Sequence, residues 1–182
     1  MPAYHAYLIS SLPMLHFGAK PPFSTEKFLT ICSELISAQE SEILKTSLNN
    51  DTENYNGSVT TLKKWREFEI ALRNELVKIR SSRKHIDPSK FLRKDGYTDL
   101  WISHIAISAH RNQSVIDAEK ELDRARWRLL DDLLAGHYFD IDFLIVYGQK
   151  LLILEKWEKI RTANAGVLLE EALSVKDAGT KN

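Results

Sequence analysis

Apolar positions along this chain recur at helical spacing rather than in simple alternation. Phe28, Ile31, Cys32 and Leu35 keep the i, i+3, i+4, i+7 pattern of a helix buried on one face, and Ser24 stands before them as an N-cap. Ser37 and Glu40 form an S-x-x-E capping box for a second helix, with Ile43, Leu44 and Leu48 inward. Leu62, Trp65, Phe68, Leu72, Leu76 and Ile79 follow at intervals of 3, 3, 4, 4 and 3. That stripe predicts one long helix from about 60 to 83, capped by Thr60 or Thr61. Asp87-Pro88 predicts a short helix through Leu92. Residues 99–110, DLWISHIAISAH, alternate like a strand but carry the alanines of a helix; with no strand partner nearby they are read as helix.

Ser114 and Asp117 open another long helix, roughly 115–135, with Ala118, Leu122, Ala125, Leu129 and Leu133 inward and Gly136 ending it. Its opposite face is dense in charge, Asp123 and Arg126 included. Asp140 begins the most apolar helix, expected to reach about Arg161, and Asn164 is expected to cap a last one through Leu173. The stretch 49–58, NNDTENYNGS, reads as a polar loop and Asp95-Gly96 as a turn. All five prolines lie at or before Pro88, so no proline interrupts a helix in the second half. The pattern as a whole predicts an all-α fold, a bundle of two long and several short helices in a single domain over 1–182. Within it, 1–48 holds short helices, 60–173 the long-helix bundle, and 174–182 a tail with no core residues that should fray.

Composition narrows the function. A chain of 182 residues has the length of one domain or two small ones, and 43% hydrophobic with 27% charged residues is ordinary for a soluble globular protein. Its 25 basic and 25 acidic residues cancel, which argues against a general nucleic-acid binder. The zero hides a pattern: residues 1–59 carry −3, residues 60–95 carry +6 and residues 96–182 carry −3. Solvated helix faces explain that layout most simply; a basic helix docking an acidic partner or anionic lipid is the sharper reading. Cys32 is the only cysteine, which excludes an internal disulfide and a cysteine-based zinc site. The N-terminus lacks the basic region of a signal peptide, and the apolar run 143–154 falls short of the roughly 20 residues that span a bilayer. No direct membrane insertion is expected.

Catalytic signatures are missing. There is no G-x-x-x-x-G-K-[ST] loop, no G-x-G-x-x-G, no G-x-S-x-G and no H-E-x-x-H. His137, Asp140 and Asp142 could hold a cation, but Asp140 as an N-cap and Asp142 in the first helical turn account for them more simply. Neither metal nor cofactor is expected, and the chain is not read as an enzyme. Two groups stand out. Glu69 and Arg73 form an i, i+4 pair beside the long stripe, followed by Asn74 and Arg80. Lys150 sits inside the most apolar helix, where it must snorkel or meet a carboxylate. Lys150 or Arg73 is expected to pair across helices with Glu69, Glu119 or Asp123.

The order of blocks YHAYLISSLPML, PPFSTEKFLTIC, WREFEIALRNELVKIR and DAEKELDRARWRLLDDLLAGHYFDIDFLIVYGQKLLILEKWEKI resembles a bacterial family encoded beside V-type ATP synthase subunits. The resemblance runs from Tyr4 to about Leu173; its most specific marks are Leu122, Asp123, Ala125, Arg126 and Trp127, and the H-x-F-D-I-D block. More distantly, AYLISSLPMLHF with STEKFLTI is similar to the opening of a helical module in the C/d coupling component of V/A-type ATPases. Glu69, Arg73 and Asn74 resemble that component's E-x-x-N-I-R-like helix. The resemblance implies a reduced helical fold of the C/d type. It also implies a non-catalytic subunit or assembly factor of a bacterial rotary ATP synthase, with the coupling piece between central stalk and membrane ring as its most specific form. The implied partners are stalk and rotor-ring subunits, and the implied location is cytoplasmic, peripheral to the inner membrane through the complex. Glu69, Arg73, Asn74, Arg80, Glu119, Asp123, Arg126, Trp127 and Lys150 are the expected interfacial or interhelical pairing residues. A stand-alone helical enzyme or ligand-binding protein is the alternative.

Overall fold

The computed structural model describes residues 5–49, 59–93, 97 and 99–179, with the side chains of the last helix described as far as Ala163. Among these residues are seven α-helices and no strand: α1 (Ala6–Ser11), α2 (Thr25–Leu35), α3 (Ala38–Leu48), α4 (Thr60–Lys84), α5 (Leu100–Arg111), α6 (Val115–Leu133) and α7 (Ile141–Gly179). The all-α bundle expected from the sequence is what forms. The stretch 50–58, the Asp95-Gly96 turn and residues 180–182 lie outside the described residues.

Local chemistry sets most helix starts. Ser24 accepts the Lys27 N–H at 3.2 Å. Ser37 and Glu40 close the capping box in both directions. Ser114 accepts from the Asp117 N–H at 3.2 Å, and Asp99 from the Trp101 N–H at 2.7 Å, which settles 99–110 as helix. Four expectations are corrected. The N-cap of α4 is Val59, with no side-chain cap; Thr60 is already helical and Thr61 is buried against the core. The segment after Asp87 makes only a 3-10 turn, Pro88–Lys90. Asp123 belongs to the buried surface of α6 and not to its solvated face. Finally α7 runs unbroken through Asn164, with no proline to stop it there. It is a third long helix of 39 residues.

Three apolar clusters share these helices. The first joins Leu8 of α1, Phe28 and Cys32 of α2, Leu44 of α3 and Leu144 of α7. The second joins Leu62 and Trp65 of α4, Trp127 and Leu130 of α6, and Val146 and Leu154 of α7. The third lies between α4, α5 and α6, around Phe68, Leu72, Ile102, Ala106 and Leu122. Helix α7 serves the first cluster on one side and the second on the other, which is why its run 143–154 is buried nearly all round. Gly148 lets α7 approach closely: a Cβ there would stand 2.8 Å from a Leu48 methyl and 3.2 Å from the Phe28 ring. No described helix is long and apolar enough to cross a membrane.

Polar bonds also tie distant segments to this core. Glu155 of α7 accepts the Thr25 N–H at 2.7 Å and its hydroxyl at 2.8 Å, so a carboxylate from the far end of the chain sits on the N-terminus of α2. The His5 N–H donates to the Phe139 carbonyl at 2.8 Å, joining the first described residue to the loop before α7.

Candidate functional site

The densest polar assembly among the described residues lies where α4, α6 and α7 meet. Asp123 is at its centre, with its side chain only 2% exposed. Its carboxylate accepts from Arg126 Nη1 at 2.8 Å, Lys156 Nζ at 2.8 Å and Trp157 Nε1 at 2.9 Å. A buried carboxylate is tolerable only with such a set of donors. Arg126 turns its other edge to Glu69 of α4, with Nε at 2.8 Å and Nη2 at 3.3 Å from the two oxygens. That fork-on-fork pairing is the strong form of an arginine–carboxylate contact. Glu119, one turn before Asp123, pairs with Lys156 and lies 3.8 Å from Arg126. Burial works against the Arg126 charge, but Glu69 and Asp123 more than offset it, so its pKa stands above the ordinary arginine value.

A cleft of about 440 Å³ opens over this network. Its floor holds Glu69, Glu119, Asp123, Arg126 and Lys156; apolar wall is supplied by Ile70, Leu152 and Ile153. Arg66, Arg73 and Arg93 stand around it. Arg93 is held there by Asn74, whose side-chain oxygen accepts the Arg93 N–H at 2.9 Å and whose amide donates to the Arg93 carbonyl at 3.0 Å. Arg73 Nη1 donates to the Phe91 carbonyl at 3.2 Å, fastening the same segment to α4.

Lys150 lies elsewhere. Its Nζ is 2.5 Å from Asp131 and 5.1 Å from the centroid of the Trp127 ring, which Phe17 meets edge-on. The neighbouring apolar cleft, about 380 Å³, is walled by the 12–15 segment, Phe143, Val146 and Tyr147. The Tyr147 hydroxyl donates to the Pro13 carbonyl at 2.9 Å, and burial pushes its pKa up to about 12.

The structure therefore brings Glu69, Glu119, Asp123 and Arg126 into one site, with Arg73 lining the cleft above it and Asn74 buried beside it on the Arg93 backbone, while Trp127 and Lys150 lie outside the lining of that cleft. Arg80 is exposed and apart from all of them. The expected partners are corrected: Lys150 meets Asp131, and Arg73 meets a backbone carbonyl, while the three acids are served by Arg126 and Lys156. Lys156 and Trp157 escape the sequence reading. They stand in the LILEKWEKI block, and the signal for them is the unmatched pair Glu119 and Asp123, which needs a cation from a neighbouring helix. The His137 trio forms a local cap: Nδ1 is 2.7 Å from Asp140, whose other oxygen accepts the Phe143 N–H at 3.1 Å. In comparisons with known proteins, no family model, no curated protein and no solved structure matches the chain.

Proposed function

We propose that the chain is a non-catalytic helical subunit or assembly factor of a bacterial V-type rotary ATP synthase, acting as the C/d-like coupling piece between central stalk and membrane ring. One observation supports this reading above others. Two of the sequence blocks that resemble the family encoded beside such synthases meet in the ionic network: Glu69 from WREFEIALRNELVKIR, Asp123 and Arg126 from the last block, and Lys156 and Trp157 from that block's end. Such a network cross-braces three long helices, and a part that passes torque needs that bracing. Its work is mechanical: burial fixes the helix register, and charge at the exposed rim sets partner choice more than affinity.

The test is genetic and biochemical together. The tagged chain, purified from its own host, is expected to bring stalk or ring subunits with it, and its deletion is expected to uncouple ATP hydrolysis from ion pumping. Synthase particles that assemble and pump normally without the chain would overturn the reading. A helical ligand-binding protein is the second reading, favoured by the 440 Å³ cleft.

A further inference from the structure

The apolar cleft beside Lys150 combines walls of one kind with a polar spot of another. Leu15, Phe143, Val146 and Tyr147 line it, and Lys150 and Asp131 are the only charged groups in its described lining. Their charges cancel, with the ammonium 2.5 Å from Oδ1 of Asp131. The ammonium also lies over the Trp127 ring, 5.1 Å from its centroid, and only 9% of the Lys150 side chain is exposed. Both members of the pair are engaged, yet neither is exhausted. An ammonium carries three N–H donors, and the carboxylate keeps Oδ2 beside the oxygen that Lys150 uses. A ligand can therefore join the pair without breaking it. One wall is set in place beforehand: the Tyr147 hydroxyl, donating to the Pro13 carbonyl at 2.9 Å, pins the 12–15 segment to α7.

We infer that this cleft binds a small neutral aromatic molecule bearing a hydroxyl, with the ring among Leu15, Phe143, Val146 and Tyr147 and the hydroxyl on the Lys150–Asp131 pair. A hydroxyl suits such a pair, because its oxygen accepts from an ammonium while its hydrogen donates to a carboxylate. An anion would be repelled by Asp131 and a cation by Lys150, so a full charge of either sign gains one partner and meets one opponent. In a recessed apolar place the cost of desolvating the ion adds to that loss. The Phe143 and Tyr147 rings favour an aromatic body over an aliphatic one of similar size, through edge-to-face or offset contacts. The volume of about 380 Å³ lies in the usual range for small-molecule sites, and an apolar lining with a few placed polar groups is their usual make-up. The site stands whether or not the chain belongs to a rotary ATPase.

The test is calorimetric titration of the full chain at pH 7 with 4-ethylphenol, 4-ethylbenzoate, 4-ethylbenzylamine and 4-ethylcyclohexanol. These are the neutral aromatic hydroxyl, its anionic and cationic counterparts, and its aliphatic one. 4-Ethylphenol is expected to bind saturably with a Kd of about 1 mM or tighter, a realistic affinity for so small a ligand. The other three are expected to bind several-fold more weakly. Two variants then shift the selectivity in opposite directions. Lys150→Met leaves the Asp131 charge alone, so the amine should gain on the benzoate by about tenfold. Asp131→Asn, at a carboxylate already 55% exposed, leaves the Lys150 charge alone, so the benzoate should gain on the amine by about as much. A pair with a merely structural role would alter the four affinities alike. Absence of saturable 4-ethylphenol binding at about 5 mM would overturn the inference. So would an ion or 4-ethylcyclohexanol that binds as tightly, or a benzoate-to-amine ratio that the two variants leave unchanged or move the same way.

Discussion

Asp123→Ala removes the carboxylate on which α6 and α7 converge. Three donors lose their shared acceptor: Arg126 Nη1 and Lys156 Nζ at 2.8 Å and Trp157 Nε1 at 2.9 Å. Breaking a buried ion pair on one side costs about 3–5 kcal/mol, most of it the penalty of a charge left without a partner. Here the two cations keep some company, since Arg126 retains Glu69 and Lys156, 38% exposed, can turn to water or to Glu119. The lower end of that range, about 3 kcal/mol, is therefore expected. For a chain of this size it lowers Tm by roughly 6–12 °C. Urea unfolding followed by tryptophan fluorescence reads it directly. Glu119→Ala is the internal comparison: its side chain is 41% exposed, and its removal should cost less than about 1 kcal/mol. A double-mutant cycle pairing Asp123→Ala with Lys156→Met then isolates the contact between α6 and α7. An Asp123→Ala loss below about 1 kcal/mol would refute the view that this carboxylate organises the junction.

Lys150→Met should leave stability within about 1 kcal/mol, because the apolar surroundings accept the thioether and the abandoned Asp131 is already 55% exposed; urea midpoints decide it. Gly148→Ala crowds Leu48 and Phe28; about 1–3 kcal/mol of overpacking outweighs a helix-propensity gain of about 1, so a net loss of roughly 1 kcal/mol is expected in the same assay. Cys32 is buried, and desolvation pushes its thiol pKa up to about 12, so Ellman's reagent at pH 8 should find no thiol in the native chain and one after unfolding. Cys32 and Tyr147 both have raised pKa values, from 9.0 and 10.0 to about 12. The unfolded chain therefore releases their protons first, and stability should be complete below pH 9 and decline from there towards pH 12; urea midpoints at pH 8 and pH 10.5 show the decline, and Cys32→Ala removes part of it.

The sequence reveals helices well where local chemistry carries the information. Ser24, Ser37 with Glu40, and Ser114 act within one helical turn, so their caps could be read directly. Asn164 failed as a cap because a polar residue that can start a helix can also continue one, and the choice belongs to the neighbouring turns. The candidate site was legible in part. Glu69, Glu119, Asp123 and Arg126 show themselves as charged residues beside apolar stripes, but which cation meets which acid depends on how helices cross. Asp123 is the clearest case. A single stripe through Leu122, Ala125 and Leu129 leaves it on the charged, solvated face. In the fold α6 is covered by α4 and α5 on one side and by α7 on the other, which widens the buried arc to take in Asp123, Trp127 and Leu130. Glu155 on the N-terminus of α2 crosses 130 residues of sequence, and no spacing rule connects such positions.

The first apolar cluster sets an order of events during synthesis. Phe28, Cys32 and Leu44 emerge early, but Leu144, Ile145 and Leu151, which complete their cluster, come roughly a hundred residues later. At about 5–20 residues per second, the growing chain carries that uncovered surface for about 5–20 seconds before α7 can close over it. The second and third clusters also draw on later helices, so closure of the first waits on α7, which follows all the other described helices in the sequence. A chain cut short before α7 would have α2 and α3 with no partner for their apolar faces, and aggregation of such fragments is the vulnerability this topology carries.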